Sequence, residues 1–195
     1  MVENLDEEIE LYLQSRNRFE QYYMTLPILG DISMDSLEVE LPNLQKALSW
    51  VVSGGNKGLI PGFWGGVKDL LMQRGYWDAF LDWGKIVLQT YTELNNDWDA
   101  AWLLSDFGWL EMEFSEFSKA QDYFEKAKTI FYSMNDHSNS IEVQRARCVV
   151  ERYLGVLAYR REDYAKASEY YSRSLNIAVS YKFSGSVSET YNLLG

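Results

Sequence analysis

The sequence is poor in the residues that metal sites, disulfides and most catalytic centres require. Its 195 residues include one cysteine, one histidine and three prolines, and its formal net charge is −11. The lone Cys148 excludes an intramolecular disulfide and favours a reducing compartment, for which the cytoplasm is the simplest choice. The excess of acidic residues argues against a nucleic-acid partner, because Lys and Arg must neutralise nucleic-acid phosphates.

The distribution of apolar and basic residues along the chain supports the same exclusions. No segment approaches the roughly 18 consecutive apolar residues of a membrane span, so no membrane partner is predicted. One basic patch stands out against the acidic total: Arg145, Arg147, Arg152, Arg160 and Arg161. Acidic residues interrupt this patch, and we therefore predict no nucleic-acid site there.

Catalysis and metal binding find little support in the residue inventory. His137 and Cys148 together supply two potential zinc ligands, whereas a structural zinc site uses four. A nucleophilic triad would also have to use His137, which lies in the polar stretch 135–139, typical of a surface loop. We predict no metal, no cofactor and no catalytic residue, and an enzyme ranks last among our hypotheses.

The sequence contains one internal repeat, which occurs in two clear copies. The first copy spans 107–131 (FGWLEMEFSEFSKAQDYFEKAKTIF), and the second spans 154–178 (LGVLAYRREDYAKASEYYSRSLNIA). Equivalent positions hold Gly108 and Gly155, Ala120 and Ala167, and Phe124 and Tyr171. A small residue on one helix allows close approach of the next, whose aromatic side chain fills the remaining space. The spacing therefore predicts two antiparallel helix pairs.

This pattern resembles the tetratricopeptide repeat, whose signature includes an L-G step and a later A-x3-F step. Phe107-Gly108 and Leu154-Gly155 match the first step, while Ala120…Phe124 and Ala167…Tyr171 match the second. The signature Trp is replaced by Leu104 and Glu151. The resemblance implies an all-α fold, a right-handed α-solenoid of antiparallel helix pairs, and a scaffold role without catalysis.

The repeat can be traced through most of the chain with a period of 40 residues. Gly75, Ser115 and Glu162 occupy equivalent turns, and seven extra residues precede the second clear copy. We predict an N-terminal helical pair in 1–58 and repeats in 59–195, divided into 59–97 (degenerate), 98–136, 137–183 and 184–195 (truncated). About nine helices are expected: 3–25, 35–53 with a kink or break at Pro42, 60–74, 77–94, 97–114, 117–134, a lengthened 139–161, 164–182 and 185–194.

A second resemblance concerns the segment Leu37–Asn56. Its core of Glu40, Asn43-Leu44, Ala47-Leu48 and Trp50 is similar to the segment that opens the helical-repeat region of multidomain signal-transduction ATPases of the STAND and NB-ARC type. This resemblance implies the sensor or oligomerisation arm of a larger signalling ATPase or transcription regulator. No G-x-x-x-x-G-K-[ST] phosphate-binding loop occurs, so no ATPase residue is assigned.

The tryptophans suggest where a partner would bind. Trp50, Trp64, Trp77 and Trp83 fit core or near-core positions, but Trp102 and Trp109 lie off the predicted packing line. In a stack of such pairs the first helices line a concave groove. The predicted groove residues are Trp102, Ser105, Trp109, Met112, Arg152, Val156, Tyr159 and Arg160. This groove would suit an acidic, aromatic peptide or helix; the other interpretation is that these side chains pack against the preceding repeat.

Two further hypotheses remain at this stage. A small-molecule sensor that changes oligomeric state is the alternative to a protein-binding scaffold, and it predicts a dry aromatic pocket among Trp64, Trp102 and Trp109. Gly195 falls in mid-repeat, so we expect a fragment of a longer protein, with an apolar flank near Tyr191 and Leu194 available for self-association.

The glycines around Trp64 (Gly62, Gly65, Gly66) could form either a phosphate-binding loop or a close helix crossing. The neighbouring bulky aromatic residues favour the helix crossing.

Overall fold

The structure is a computed structural model that describes residues 2–28, 32–134 and 140–194, without the side chains of 2–6, 191, 192 and 194. These residues form ten α-helices and two short 3₁₀ helices, and no strand occurs among them. The all-α prediction is therefore confirmed. Contacts divide the chain into two compact units, with the boundary along the sequence between Leu94 and Asn95.

The first unit contains five α-helices. They are α1 (Val2–Thr25), α2 (Met34–Val39), α3 (Leu41–Val52), α4 (Ile60–Gln73) and α5 (Trp77–Glu93), with 3₁₀ helices at Leu26–Ile28 and Lys57–Leu59. The expected single helix over 35–53 is broken at Glu40, so that Pro42 occupies the first turn of α3. Proline is tolerated in a first turn because it lacks an N–H that would be unpaired there.

The second unit also contains five α-helices. They are α6 (Asp97–Glu113), α7 (Phe117–Ser133), α8 (Ile141–Arg160), α9 (Tyr164–Ser180) and α10 (Ser184–Leu194). Asn96 begins α6 by accepting a hydrogen bond from the Asp99 N–H at 3.3 Å, and Asp163 caps α9 through the Lys166 N–H at 3.2 Å. Such side-chain caps satisfy donors that the first helical turn leaves unpaired.

The seven extra residues before the second copy are shared between a helix and a connection. Helix α8 has 20 residues where α6 has 17, and the connection from α7 to α8 has seven residues where the α6–α7 turn has three. The sequence predicts a lengthened helix over 139–161, and α8 is longer than α6 but spans Ile141–Arg160.

The three-residue turns between helices share one backbone conformation. Positive φ angles occur at Gly75 (76°), Asn95 (53°), Ser115 (63°), Glu162 (62°) and Lys182 (58°). The N–H that follows such a residue bonds back to the carbonyl five residues earlier, as in Glu116 to Glu111 at 2.9 Å. This is the Schellman arrangement, which satisfies the last carbonyls of a helix. The predicted equivalence of the turns at 75, 115 and 162 is confirmed.

The predicted small-against-aromatic packing is present in both pairs of the second unit. A Cβ atom added to Gly108 would lie 2.6 Å from the Phe124 ring, and one added to Gly155 would lie 2.5 Å from the Tyr171 ring. Phe124 is fully buried and Tyr171 is 2% exposed. The two glycines therefore allow the paired helices to approach until the aromatic ring touches the backbone.

In the first unit, Trp64 and Trp83 lie in the core as predicted, and Trp50 is partly buried. Trp64 packs on Phe80 with 4.9 Å between ring centroids, and Trp83 packs on Phe63 at 5.9 Å. Trp77 is an exception, since it begins α5 at a turn and is 42% exposed. The core prediction for Trp77 was wrong, because the first position of α5 leaves a large part of this side chain accessible.

The glycines near Trp64 form a close crossing between α4 and the 3₁₀ helix at Leu26–Ile28. A Cβ atom on Gly62 would lie 2.7 Å from Ile28 Cδ1, and one on Gly66 would meet the backbone of Pro27. These two positions are separated by about one helical turn and so share a face. Gly65 has open space around it and takes no part in the crossing.

Candidate interaction surface

The eight predicted groove residues divide evenly between α6 and α8, which lie in the same unit. Helix α6 carries Trp102, Ser105, Trp109 and Met112, and α8 carries Arg152, Val156, Tyr159 and Arg160. Tyr159 and Arg160 are exposed, and Trp102, Trp109, Arg152 and Val156 are partly buried. Six of the eight residues thus retain accessible surface.

Ser105 and Met112 lie in the interior instead. Ser105 is 1% exposed and its hydroxyl donates to the Ala101 carbonyl at 2.9 Å, while Met112 has no exposed side-chain surface. Helix α6 is apolar around most of its circumference, which is typical of a helix packed on more than one side. These two residues support the core and offer no side-chain contact to a partner.

Trp109 of α6 contacts α8 through an aromatic pair. The ring centroids of Trp109 and Tyr153 are 5.3 Å apart, and those of Tyr153 and Phe124 are 5.5 Å apart. Burial raises the pKa of Tyr153 above its ordinary value, and the nearby Arg152 guanidinium offsets part of this rise. The phenol therefore remains uncharged at neutral pH, and the three rings form a continuous apolar layer from α6 through α8 to α7.

Tyr153 was not predicted as a surface residue, although a signal for it existed. It is three residues before Val156, so helical spacing places these two residues on the same side of α8. Its partial exposure and its contact with Trp109 make it the central aromatic residue of this surface.

Trp102 belongs to a different aromatic cluster. Its ring packs edge-on against Phe131 of α7 at 5.3 Å and against Trp98 at 6.0 Å, and Trp98 also contacts Phe131 at 5.7 Å. Within the described residues, no ring contact joins Trp102 to Trp109. The pair that the sequence treated as one aromatic floor thus forms two separate contacts, each with its own neighbours.

The predicted arginine flank is largely engaged within the chain. Arg152 forms an ion pair with Glu189 of α10. Arg160 donates to Glu113 Oε1 at 2.7 Å and to the Met112 carbonyl at 3.3 Å, at the C-terminal end of α6. Carbonyls at a helix C-terminus carry partial negative charge, so this position suits a cation. The charges of both arginines are balanced locally.

The remaining members of the predicted basic patch also have partners within the chain. Arg145 lies over the Phe183 ring at 5.1 Å, Arg147 donates to the Phe131 carbonyl at 3.0 Å, and Arg161 donates to Gln121 at 2.6 Å. These contacts hold α8 to α7 and to the segment that leads into α10. The patch therefore contributes to packing within the unit.

A buried carboxylate lies behind this surface. Glu151 is 1% exposed, and its Oε1 accepts a hydrogen bond from Tyr132 at 2.8 Å and forms an ion pair with Lys128 Nζ at 3.0 Å. Among the described residues none donates a hydrogen bond to its Oε2, and Arg173 Nη1 lies 4.0 Å from this atom. Burial, together with the hydrogen bond to Glu151, raises the pKa of Tyr132, so its hydroxyl stays protonated and donates at neutral pH.

Other sequence expectations concern metals and membranes. His137 falls in 135–139, outside the described residues. Cys148, the other potential zinc ligand, is buried with its sulfur 3.4 Å from the Ser174 carbonyl oxygen. Across the part of the chain that the structure describes, no cluster of three or more His, Cys, Asp or Glu side chains is placed to hold a metal ion. Within the same residues, no helix combines the length and apolarity needed to cross a membrane.

Comparison with known proteins identifies a structural neighbour and no family. No family model matches the sequence, and no curated protein matches it. The fold is similar to the crystal structure of BtubC (BKLC) from P. vanneervenii, with a TM-score of 0.61 and 16% sequence identity. The alignment covers 95% of this chain and 81% of BtubC. At this identity the likeness concerns the fold alone.

Proposed function

We propose that this chain is a non-catalytic, tetratricopeptide-like scaffold that binds a protein or peptide partner through the surface formed by α6 and α8. Its helix pairs would stack as a right-handed α-solenoid. By the resemblance of Leu37–Asn56, it would serve in the cytoplasm as the sensor or oligomerisation arm of a larger signalling ATPase or transcription regulator.

The observation that carries this proposal is the aromatic contact between Trp109 and Tyr153. Both side chains keep part of their surface accessible while packing on each other, and Val156 lies one helical turn further along α8. Tryptophan and tyrosine are enriched among residues that dominate binding energy at protein interfaces. The Gly–aromatic packing of each helix pair supports the repeat-type scaffold that would present these residues.

The chemistry of the expected partner differs from the first expectation of an acidic peptide. Arg152 and Arg160 are already paired with Glu189 and Glu113. An acidic partner would have to displace these carboxylates, which reduces the gain from each new ion pair. The surface therefore favours a partner that inserts apolar or aromatic side chains beside Trp109, with polar contacts at the rim.

The proposal is tested by affinity capture from lysate of the source cells, using the wild-type chain and matched variants. We expect Trp109→Ala and Val156→Asp each to reduce recovery of a specific partner by about tenfold, the effect of losing roughly 1.4 kcal/mol. Val179→Asp is the control, because Val179 lies on α9 and is 57% exposed. Circular dichroism establishes that all three variants are folded.

Two results distinguish the proposal from its alternative. Equal recovery of the partner by wild type, Trp109→Ala and Val156→Asp would contradict binding at this surface. Capture of no protein by any bait, together with ligand-dependent thermal stabilisation in a metabolite screen, would favour the small-molecule sensor. That sensor predicts a change of oligomeric state on ligand addition, which light scattering measures directly.

A further inference from the structure

Helix α1 is twice as long as the helix on which it packs. It has 24 residues and α3 has 12, so α1 extends roughly 18 Å further at 1.5 Å per residue. The two helices run antiparallel, since Tyr23 bonds Asn43 near the start of α3, while Arg16 bonds the Trp50 carbonyl at 3.0 Å near its end. Residues 7–15 of α1, which we term the α1 extension, are all exposed.

The α1 extension continues the apolar stripe that packs on α3. Ile9, Tyr12 and Leu13 precede Arg16 at helical spacing and are 49%, 58% and 47% exposed. On the packed half of the helix, Phe19 lies 5.2 Å from the Trp50 ring. The stripe is therefore one face of α1, of which α3 covers only the second half.

The borders of this uncovered face are acidic. Glu8 and Glu10 fall on opposite sides of the stripe by helical geometry, and Glu7 is also exposed. The nearest cation on the helix, Arg16, is engaged by Glu20 at 2.7 Å and by the end of α3. An apolar stripe bordered by unneutralised carboxylates is complementary to an apolar stripe bordered by Lys or Arg.

A second copy of the chain matches this face poorly. Parallel pairing would place Glu8 and Glu10 opposite their own counterparts, and each copy carries a net charge of −11. Antiparallel pairing would place these glutamates opposite Arg16 of the other copy. That arginine already forms contacts with Glu20 and Trp50 of its own chain. Like-charge repulsion thus disfavours self-association through the α1 extension.

We propose that the α1 extension is a docking site for a basic amphipathic helix of a partner protein. The partner helix lies along Ile9, Tyr12 and Leu13 beyond the end of α3, and its Lys or Arg residues pair with Glu8 and Glu10. This site is on the first unit and is independent of the α6–α8 surface, so either proposal can fail without the other.

The test measures fluorescence anisotropy of two labelled 18-residue model helices added to the full chain, a Leu/Lys peptide and a Leu/Glu peptide with the same apolar pattern. We expect the Leu/Lys peptide to bind, with affinity that falls as salt rises, and the Leu/Glu peptide not to bind. Ile9→Ser/Leu13→Ser should weaken binding by about tenfold or more, since burying one such side chain contributes more than a factor of ten.

The control is Leu11→Ser, which removes an exposed leucine from the opposite side of the same helix and should leave binding unchanged. Neither variant alters the charge, so equal binding by wild type and Ile9→Ser/Leu13→Ser would overturn the proposal in favour of non-specific attraction. Equal binding of both peptides would overturn it as well. A dimer by light scattering that Ile9→Ser/Leu13→Ser dissociates would assign the face to a second copy instead.

Discussion

The two repeat copies in the second unit differ most at one buried position. Leu104 occupies it in the first copy and is 6% exposed, whereas Glu151 occupies it in the second copy and is 1% exposed. A leucine needs only apolar neighbours, but a buried carboxylate needs hydrogen-bond donors and opposite charge. Lys128 and Tyr132 of α7 supply both, at 3.0 Å and 2.8 Å from Oε1.

The difference shows that one repeat position tolerates opposite chemistries when the preceding helix changes with it. Arg147 lies over the Tyr132 ring at 4.9 Å, and Lys128 lies over the Tyr170 ring at 5.3 Å. Glu151 thus joins α7, α8 and α9 through a polar network, where Leu104 contributes through apolar packing. The network holds its three helices in one arrangement, because each member depends on the others for a partner.

The largest expected effect comes from breaking this network. Lys128→Met leaves Glu151 buried beside Tyr132 without its closest cation, and should lower the free energy of unfolding by about 3 kcal/mol. Urea denaturation measures the loss. Lys126→Met is the control on the same helix, because Lys126 is exposed, and it should change stability little.

Restoring the chemistry of the first copy should recover part of that loss. In Lys128→Met/Glu151→Leu no buried charge remains at this position, so the double variant should be more stable than Lys128→Met alone. If the double variant were as unstable as Lys128→Met, the unpaired charge of Glu151 would not explain the loss of stability in the single variant.

An intermediate effect is expected at the glycines that the two copies share. Gly108→Ala and Gly155→Ala each place a methyl group less than 3 Å from an aromatic ring, which should cost about 1–3 kcal/mol. Thermal unfolding of both variants measures whether the copies respond alike. Gly65→Ala is the control, since nothing lies within 4 Å of its added Cβ atom; a similar loss there would indicate a general effect of helix substitution.

The smallest effect concerns the aromatic residue that differs between the copies. Burial raises the pKa of Tyr171 above its ordinary value of 10.0, whereas Phe124 does not titrate. The contribution of neutral Tyr171 is fully present below about pH 10 and is lost as pH rises through the raised pKa of the folded state. Tyr171→Phe should therefore make the alkaline decline in stability shallower, as measured by urea denaturation between about pH 8 and 11. An unchanged decline would assign it to the other tyrosines.

Most of the helices followed from the sequence because local signals agreed with one another. The turn residues Ser115 and Glu162 were placed by their distance from Gly75, and all three adopt positive φ. The break near Pro42 also followed from local chemistry, although it falls at Glu40. Such features depend on backbone geometry and on neighbours a few residues away, which a single sequence contains.

The candidate surface was harder to predict because side-chain exposure depends on what packs from other helices. Ser105 and Met112 share the helical face of Trp102 and Trp109 in sequence, yet both are buried, since α6 is covered around most of its circumference. The pairing of Arg152 with Glu189 joins positions 37 residues apart, and no local pattern indicates it. Whether these residues bind a partner stays a prediction.

The short turns of the second unit have a consequence for how it folds. Three residues join α6 to α7 and α8 to α9, so each Gly–aromatic contact forms between segments that are adjacent in the chain. Folding rates rise as contacts become more local, because little chain entropy is lost before a contact forms. Each pair should therefore collapse on its own as a hairpin, and the buried ion cluster of Glu151 should assemble last, when one hairpin docks on the other.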